Sequence, residues 1–183
     1  CDSIAPKILT LLENEDNILP LNGKDKREII FVSIDDNDYS AFIKQAKKYK
    51  DIKTYSIDSK IKEDDYEKIM NDIDSTKTII IAASGGVNSK KSNNYGINQK
   101  SLEALFAIQE TKAKNILVLF ANPYVLESID TICDYNALIV AYQNTAQLQS
   151  AVAKSIFKPH DFRGSLPVDG SQTYKASPDF AIE

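Results

Sequence analysis

The stretch Ile116-Leu-Val-Leu-Phe-Ala-Asn-Pro-Tyr124 decides the fold class of this chain. Five consecutive apolar residues end at Phe120, and a polar break at Asn122 and Pro123 follows almost at once. An apolar run of this length is typical of a strand that is buried on both faces, as in a parallel sheet covered by helices. Because open α/β sheets bind ligands at the carboxyl ends of their strands, the break also marks a candidate site.

The composition and charge of the chain exclude several classes of protein. The 183 residues are 43% hydrophobic and 26% charged, with a formal net charge of −4, which is ordinary for one globular domain. Lysines and acidic residues are interspersed, so no basic stripe predicts a nucleic-acid surface. No apolar stretch approaches the ~20 residues that a membrane-spanning helix needs. We therefore expect neither nucleic acid nor a membrane span.

The two cysteines and the single histidine limit the chemistry that the chain can perform. Cys1 and Cys133 are too few for a disulfide framework, and Cys133 is predicted to be a buried free thiol. His160 lies in the polar tail, so neither a nucleophile triad nor a His/Cys metal cluster is predicted. The sequence predicts no cofactor.

Short apolar runs and amphipathic patterns alternate through the middle of the chain. A helical pattern follows each of five predicted strands, which are residues 29–34, 52–57, 78–83, 115–121 and 137–142. Strict alternation is typical of βαβ units with right-handed crossovers. We predict an α/β three-layer sandwich with a mostly parallel, five- or six-stranded sheet in the flavodoxin-like order 2-1-3-4-5. The second strand alternates apolar and polar residues and is expected at an edge.

The two ends of the chain differ from this alternating core, which covers residues 29–157. Residues 1–28 are predicted to form a leading helix, capped by Ser3 and ending near Asn14 to Asn17, and then a linker. Residues 158–183 are rich in Pro, Gly, Ser and Asp and lack a period. They are predicted to be an irregular exit segment.

Polar side chains stand where the predicted strands end. Because parallel strands present their carboxyl ends at one edge of the sheet, we expect a substrate cleft or an interface there. The candidate residues are Asp35, Asp36, Ser84, Asn122, Tyr124 and Asn144. They complete no set of catalytic groups, so no catalytic residue and no metal ligand is predicted. Asn122, followed by Pro123, is also a suitable helix N-cap.

The turn after the first predicted strand does not suit a phosphate group. It reads Asp35-Asp36-Asn37-Asp38 and places three carboxylates where a dinucleotide or flavin phosphate loop needs free backbone N–H groups. The acidic pair resembles that of response-regulator receiver domains. Those domains also need an Asp after the third strand and a Lys after the fifth, where this chain has Ser84 and Gln143 to Thr145.

Four blocks of sequence together resemble the C-terminal sandwich domain of glycoside hydrolase family 3, in its β-N-acetylhexosaminidase branch. They occur in the family's order and span nearly the whole chain. The blocks are Ile8-Leu-Thr-Leu-Leu-Glu-Asn-Glu15 with Asn17-Ile-Leu-Pro-Leu21, Leu119-Phe-Ala-Asn-Pro-Tyr124, Val140-Ala-Tyr-Gln-Asn-Thr145 and Gly164-Ser-Leu-Pro-Val168.

The resemblance implies an (α/β)6-type sandwich that packs on a preceding (β/α)8 barrel. Family 3 enzymes are retaining glycosidases whose nucleophilic Asp lies on the barrel. In the β-glucosidase branch the sandwich donates the acid/base Glu, whereas the hexosaminidase branch uses a His/Asp pair on a barrel loop. The chain has no Asp or Glu between Ser84 and Lys100, which agrees with the second pattern.

The resemblance therefore implies a non-catalytic accessory domain of a family 3 β-N-acetylglucosaminidase. Its partners would be the barrel of the same parent protein and, through that barrel, β-linked N-acetylglucosamine glycans such as peptidoglycan or chitin fragments. Such polymers favour an exported, periplasmic or envelope-associated location. Two alternatives stay open. The chain is a stand-alone flavodoxin-like ligand-binding module with its ligand near Asp35, Ser84 and Asn122, or Asp35 or Asp36 supplies an acid/base.

Overall fold

The structure is a computed structural model that describes residues 8–21, 26–85, 95–130, 134–160 and 162–178. Three sequence predictions fall outside these ranges. They concern the thiol of Cys133, the first turns of the helix expected to begin at Ser3, and most of the loop that follows Ser84.

Strands and helices alternate through the described residues. The six strands are β1 (Thr10–Asn14), β2 (Ile29–Ser33), β3 (Lys53–Ser56), β4 (Thr78–Ser84), β5 (Lys114–Phe120) and β6 (Ala137–Val140). The five α-helices are α1 (Ser40–Ala46), α2 (Glu63–Asp72), α3 (Gln99–Glu110), α4 (Leu126–Ile129) and α5 (Ala146–Phe157). Short 3-10 turns lie at Glu15–Asn17 and Pro123–Val125.

All six strands belong to one sheet with the order β1-β6-β5-β4-β2-β3. The pairs from β6 to β3 are parallel, and β1 alone runs antiparallel to its neighbour, β6. The five strands predicted from the sequence thus lie in the predicted order 2-1-3-4-5, with the second at an edge. The prediction of an α/β fold with a mostly parallel sheet is confirmed.

The predicted leading helix is wrong over Thr10–Asn14, which form strand β1. Thr10 pairs with Val140 and Leu11 with Ile139, so the backbone of β6 supplies the hydrogen-bond partners of this segment. Leu11 packs into the core on one face of the sheet and Leu12 into the core on the other. Adjacent side chains that point to opposite faces are typical of a strand.

Each face of the sheet is covered by its own hydrophobic core, which gives the three layers. Helices α1 and α5 cover one face, where Phe42 and Val152 lie in the core. Helices α2, α3 and α4 cover the other, with Ile69 and Leu105 in the core. Every residue of the central strand β4 is buried. This double cover explains why β2, β4, β5 and β6 contain continuous apolar runs.

The segment after α5 packs against the rest of the domain although residues 162–178 form no α-helix or β-strand. Gly164 donates its N–H to the carbonyl of Leu9 at 3.1 Å. Leu166 is 3% exposed and belongs to the core on the face that α2, α3 and α4 cover. None of the helices in the described ranges combines the length and the apolar character that crossing a bilayer requires.

Candidate functional site

The carboxyl ends of β4, β5 and β6 surround a cavity of about 630 Å³. Four residues predicted as site candidates line it, namely Ser84, Asn122, Tyr124 and Asn144. The other two, Asp35 and Asp36, line a separate recess of about 320 Å³ beyond the end of β2, together with Asp58 and Lys60. The structure therefore places the six candidates at the predicted edge of the sheet but divides them between two recesses.

Asp35 is held by three hydrogen-bond donors and is 8% exposed. Its Oδ1 accepts the N–H of Asn37 at 2.8 Å. Its Oδ2 accepts the hydroxyl of Tyr39 at 2.7 Å and the N–H of Ser84 at 2.6 Å. A buried carboxylate is stable only when donors of this kind replace its water. Asp35 thus joins the loop after β2 to the end of β4.

Tyr39 lies between Asp35 and Ser84 and remains a neutral phenol. Its ring packs in the core against Phe31 and Phe120, with centroids 5.8 and 5.6 Å away. Its oxygen lies 2.7 Å from the oxygen of Ser84. Burial, together with the charge of Asp35, raises the pKa of Tyr39 far above its ordinary value. The phenol therefore serves as a hydrogen-bond donor to Asp35.

Asn144 connects Ser84 to helix α5. The side-chain nitrogen of Asn144 donates to the oxygen of Ser84 at 3.0 Å. Its side-chain oxygen accepts from the side-chain nitrogen of Gln149 at 2.6 Å. Thr145, the residue after Asn144, caps α5 by accepting the N–H of Leu148 at 3.3 Å. The position of this amide in the cavity wall is therefore fixed from two sides.

Asp36 is exposed and makes a different contact. Its two carboxylate oxygens accept the N–H and the hydroxyl of Ser59, each at 2.8 Å. These hydrogen bonds, with a smaller contribution from the nearby charge of Lys60, hold the pKa of Asp36 below its ordinary value of 3.8. Asp36 thus ties the loop after β2 to the loop after β3, away from the cavity.

Asn122 and Tyr124 form the outer rim of the cavity. Asn122 accepts the N–H of Tyr124 at 3.2 Å, with Pro123 at the first helical position, which confirms the N-cap predicted from the sequence. The ring of Tyr124 is 43% exposed and stacks on Tyr95 with centroids 6.1 Å apart. The hydroxyl of Tyr95 donates to Glu127 at 2.8 Å. The rim therefore presents one aromatic face beside a side-chain amide.

Two residues of this site, Tyr39 and Gln149, are absent from the sequence predictions. Tyr39 fits the apolar stripe of its helix, so nothing in the sequence separates it from a core residue. Gln149 is 5% exposed and interrupts the apolar face that Leu148 and Val152 form. A buried glutamine needs polar partners. That interruption is the one signal that sequence reasoning had available.

The cavity offers neutral hydrogen-bonding groups and an aromatic rim. Among the described residues that line it, the polar side chains are hydroxyls and amides, and none is a carboxylate or an imidazole. His160 lies instead in the segment after α5, where its ring packs edge-on against Phe162. No group of three His, Cys, Asp or Glu side chains in the described part of the chain is placed to hold a metal ion. Such a cavity suits an uncharged polar ligand or a packed partner rather than proton transfer.

Comparison with protein families identifies the domain. The family model of the glycosyl hydrolase family 3 C-terminal domain matches residues 9–181. The chain belongs to this family. The match covers the strands, the helices and the segment after α5 of this family 3 C-terminal domain. A comparison with curated protein sequences gives no significant match.

Solved structures of glycosidases have the same fold. A fungal multi-domain GH3 β-N-acetylglucosaminidase superposes on 97% of the family 3 C-terminal domain with a TM-score of 0.74 at 16% identity. A GH3 β-N-acetylglucosaminidase from Paenibacillus sp. str. FPU-7 covers 96% of it with a TM-score of 0.70 at 14% identity. A β-glucosidase from Listeria innocua, in complex with glucose, covers 91% with a TM-score of 0.64 at 11% identity. The domain spans 20%, 32% and 26% of those three chains, respectively.

Proposed function

We propose that this chain is the non-catalytic accessory domain of a family 3 β-N-acetylglucosaminidase. It packs on a (β/α)8 catalytic barrel of the same parent protein and borders the cleft that binds β-linked N-acetylglucosamine glycans. The barrel supplies the nucleophile and the acid/base, and the domain supplies one wall of the cleft. The two β-N-acetylglucosaminidase structures with TM-scores of 0.74 and 0.70 support the choice of this branch.

One observation carries the non-catalytic part of the proposal. The described side chains that line the 630 Å³ cavity are neutral, so none of them exchanges a proton with a glycosidic oxygen near neutral pH. Asp35, the buried carboxylate nearby, already accepts three hydrogen bonds and lies outside the cavity lining. An acid/base needs a proton that it gives and regains, and a carboxylate saturated by fixed donors is poorly placed for that exchange.

The contact with the glycan is proposed for the rim and the wall of the cavity. Tyr124 presents an aromatic ring at the mouth, and Asn122 and Asn144 present side-chain amides beside it. Aromatic faces and amides are the groups that pack on and hydrogen-bond to an uncharged sugar. Asp36 is assigned to holding the loops after β2 and β3 together rather than to the glycan.

The proposal is tested by assaying the purified chain with 4-nitrophenyl N-acetyl-β-D-glucosaminide, alone and with the proposed barrel expressed separately. We expect no turnover by the chain alone and turnover once the barrel is present. The variant Asp36→Asn should leave kcat within about threefold, because loss of a true acid/base costs ~10²–10⁴-fold. Turnover by the isolated chain, or a loss of that size in Asp36→Asn, contradicts the non-catalytic role.

The cavity also favours a second candidate, a stand-alone ligand-binding module. Its volume of about 630 Å³ lies within the range of small-molecule sites. Thermal denaturation of the chain with FMN, ATP or N-acetylglucosamine separates the two functions. A ligand at 100 times its Kd stabilises a protein by about 2.7 kcal/mol. A shift of that size with FMN or ATP favours the module, and a shift with N-acetylglucosamine alone favours the accessory domain.

A further inference from the structure

A row of hydrogen bonds runs behind the cavity wall and joins the loops after β2 and β6, the end of β4 and helix α5. We call it the buried network, and it consists of Asp35, Tyr39, Ser84, Asn144 and Gln149. Each hydroxyl and amide in it both donates and accepts, so the direction of one bond decides the direction of the next. The orientation of every group therefore depends on the two ends of the row.

The first end is an acceptor. The Oδ2 of Asp35 receives the N–H of Ser84, and a carboxylate only accepts hydrogen bonds. The hydroxyl of Tyr39 must then donate to Asp35. Since a phenol has one hydrogen, the oxygen of Tyr39 is the acceptor toward Ser84, and the Ser84 hydroxyl is the donor. The Ser84 oxygen must then accept an N–H from the side chain of Asn144.

The second end is a donor. The N–H of Phe42, in helix α1, points at the side-chain oxygen of Gln149 at 3.1 Å. Gln149 must then turn its nitrogen toward the carbonyl of Asp38, at 2.8 Å, and toward the oxygen of Asn144, at 2.6 Å. This requirement also places the Asn144 nitrogen on the Ser84 side. The two ends of the row specify the same orientation of the Asn144 amide.

Asn144 is the member of the buried network that also lines the cavity with Ser84. One N–H of its amide is used by Ser84, and its oxygen is used by Gln149. A primary amide carries a second N–H. This second N–H is a donor that the amide can offer to the cavity, and a matching ligand atom is an acceptor oxygen.

We propose that Asp35 is a positioning residue that fixes the Asn144 amide through Tyr39 and Ser84, so that Asn144 donates a hydrogen bond to an acceptor oxygen in the cavity. The acceptor is a carbonyl or hydroxyl oxygen of an uncharged ligand. The identity of that ligand rests on the proposed function, whereas the orientation of the amide rests only on the two ends of the buried network.

The orientation is tested by side-chain amide hydrogen exchange in the ¹⁵N-labelled full chain. One N–H of Asn144 should exchange at least ~10-fold more slowly than those of Asn122, whose amide is exposed, because a hydrogen bond of about 1.4 kcal/mol changes an equilibrium tenfold. Tyr39→Phe keeps the buried ring and removes the acceptor of the Ser84 hydroxyl. We expect it to lower the protection of Asn144 without abolishing it, because Gln149 still holds the other side of that amide. Asp35→Asn should act in the same direction.

Asp36→Asn is the matched control, because this neighbouring carboxylate lies outside the buried network. It should leave the exchange of Asn144 unchanged, and urea denaturation of each variant shows which ones remain folded. If Asp35→Asn fails to fold, Tyr39→Phe decides the question. Protection of Asn144 that is the same in a folded Tyr39→Phe variant as in the wild type overturns the proposal.

The ligand part is tested by titrating the chain with N-acetyl-D-glucosamine while the Asn144 amide signals are followed. Asn144→Asp keeps the shape of the side chain but turns the donor into an acceptor, and it should weaken binding at least ~10-fold. Gln147→Glu adds the same charge at a nearby exposed residue of helix α5, outside both the cavity lining and the buried network, and should change affinity about twofold or less. Equal losses in both variants overturn the donor role. No response of the wild type, with the exchange pattern intact, contradicts the proposed cleft and the ligand part while the amide orientation stands.

Discussion

Thr10 donates its hydroxyl to the phenol oxygen of Tyr142 across 2.7 Å, and Tyr142 passes its own hydrogen to the carbonyl of Ser165 at 3.1 Å. The two side chains are 132 residues apart in the sequence. Tyr142 adopts a positive φ of 61° just after β6, which turns its side chain back over the first strand. One phenol thus holds together β1, the loop that carries Asn144, and the segment after α5.

Replacing Tyr142 by Phe should therefore destabilise the domain by about 1–3 kcal/mol. Thr10 is 3% exposed, and its hydroxyl would lose its partner inside the protein, where an unsatisfied polar group is costly. Urea denaturation of the purified chain measures the difference. Tyr124→Phe, at an exposed ring, serves as the control and should stay within about 0.5 kcal/mol of the wild type. Equal midpoints for the two variants would show that the Thr10 contact contributes nothing.

A substitution at Gly164 tests how closely the segment after α5 approaches the backbone that leads into β1. A Cβ atom at this position would lie 2.5 Å from the carbonyl oxygen of Ile8 and 2.6 Å from that of Leu9. Backbone oxygens move only with their strand, so Gly164→Ala should cost about 1–3 kcal/mol. At Gly170 the nearest obstacle, 2.5 Å away, is the end of the Leu126 side chain. Because that side chain can rotate, Gly170→Ala should cost less, and the reverse ranking in urea midpoints would contradict this packing.

A substitution at Leu166 measures how much the segment after α5 contributes to the core. Its side chain is 3% exposed and belongs to the core on the face that α2, α3 and α4 cover, so Leu166→Ala should destabilise the chain by about 2–5 kcal/mol. Ile8→Ala removes a comparable side chain that is 40% exposed and should cost less than about 1 kcal/mol. Thermal and urea denaturation of both variants give the comparison. A small cost at Leu166 would mean that residues after α5 are dispensable for folding.

The lowered pKa of Asp36 predicts how the stability of the domain changes with pH. Its pKa is lower in the folded chain than the ordinary 3.8, chiefly because of the hydrogen bond from the backbone of Ser59. The stabilisation is therefore present above about pH 4 and is lost as the pH falls through the folded pKa. The gap in urea midpoint between the wild type and Asp36→Asn should be larger at pH 7 than at pH 3.

Ser59→Ala provides the matched control for that prediction. It removes the hydroxyl donor and keeps the backbone N–H, so the pKa of Asp36 should rise only part of the way to 3.8. Carboxyl-carbon NMR of Asp36 against pH reads this value directly. A titration of Asp36 at or above 3.8 in the wild type would show that Ser59 does not hold the carboxylate.

The order of the sheet could be predicted because its evidence is local. The parallel strands β2, β4, β5 and β6 are buried on both faces and contain continuous apolar runs, and the helices between the strands restrict the topology to a few arrangements. Strand β1 could not be predicted in the same way. Its apolar residues also fit a helical stripe, and the partner that makes it a strand, β6, lies at the other end of the sequence.

The position of the candidate site could be predicted from the sequence, but the contacts between its side chains could not. Ser84, Asn122 and Asn144 follow strand ends, so the topology alone brings them to one edge. The separation of Asp36 from them depends on where its side chain points, namely toward Ser59. Tyr39 joins the site through a single oxygen on an otherwise apolar stripe, and no pattern of residue types records that. Whether these residues meet a glycan stays a prediction.

The pairing of the first strand with the last has a consequence for how the domain assembles. β1 can dock only after β6 has joined the sheet, because β6 supplies its ladder of hydrogen bonds. A contact of such long range closes a very large loop, and closures of this kind slow folding. We expect the parallel half, β3-β2-β4, to acquire amide protection early in refolding and β1 to acquire it last. Docking of β1 then completes the sheet at the edge where β1 lies beside the segment after α5.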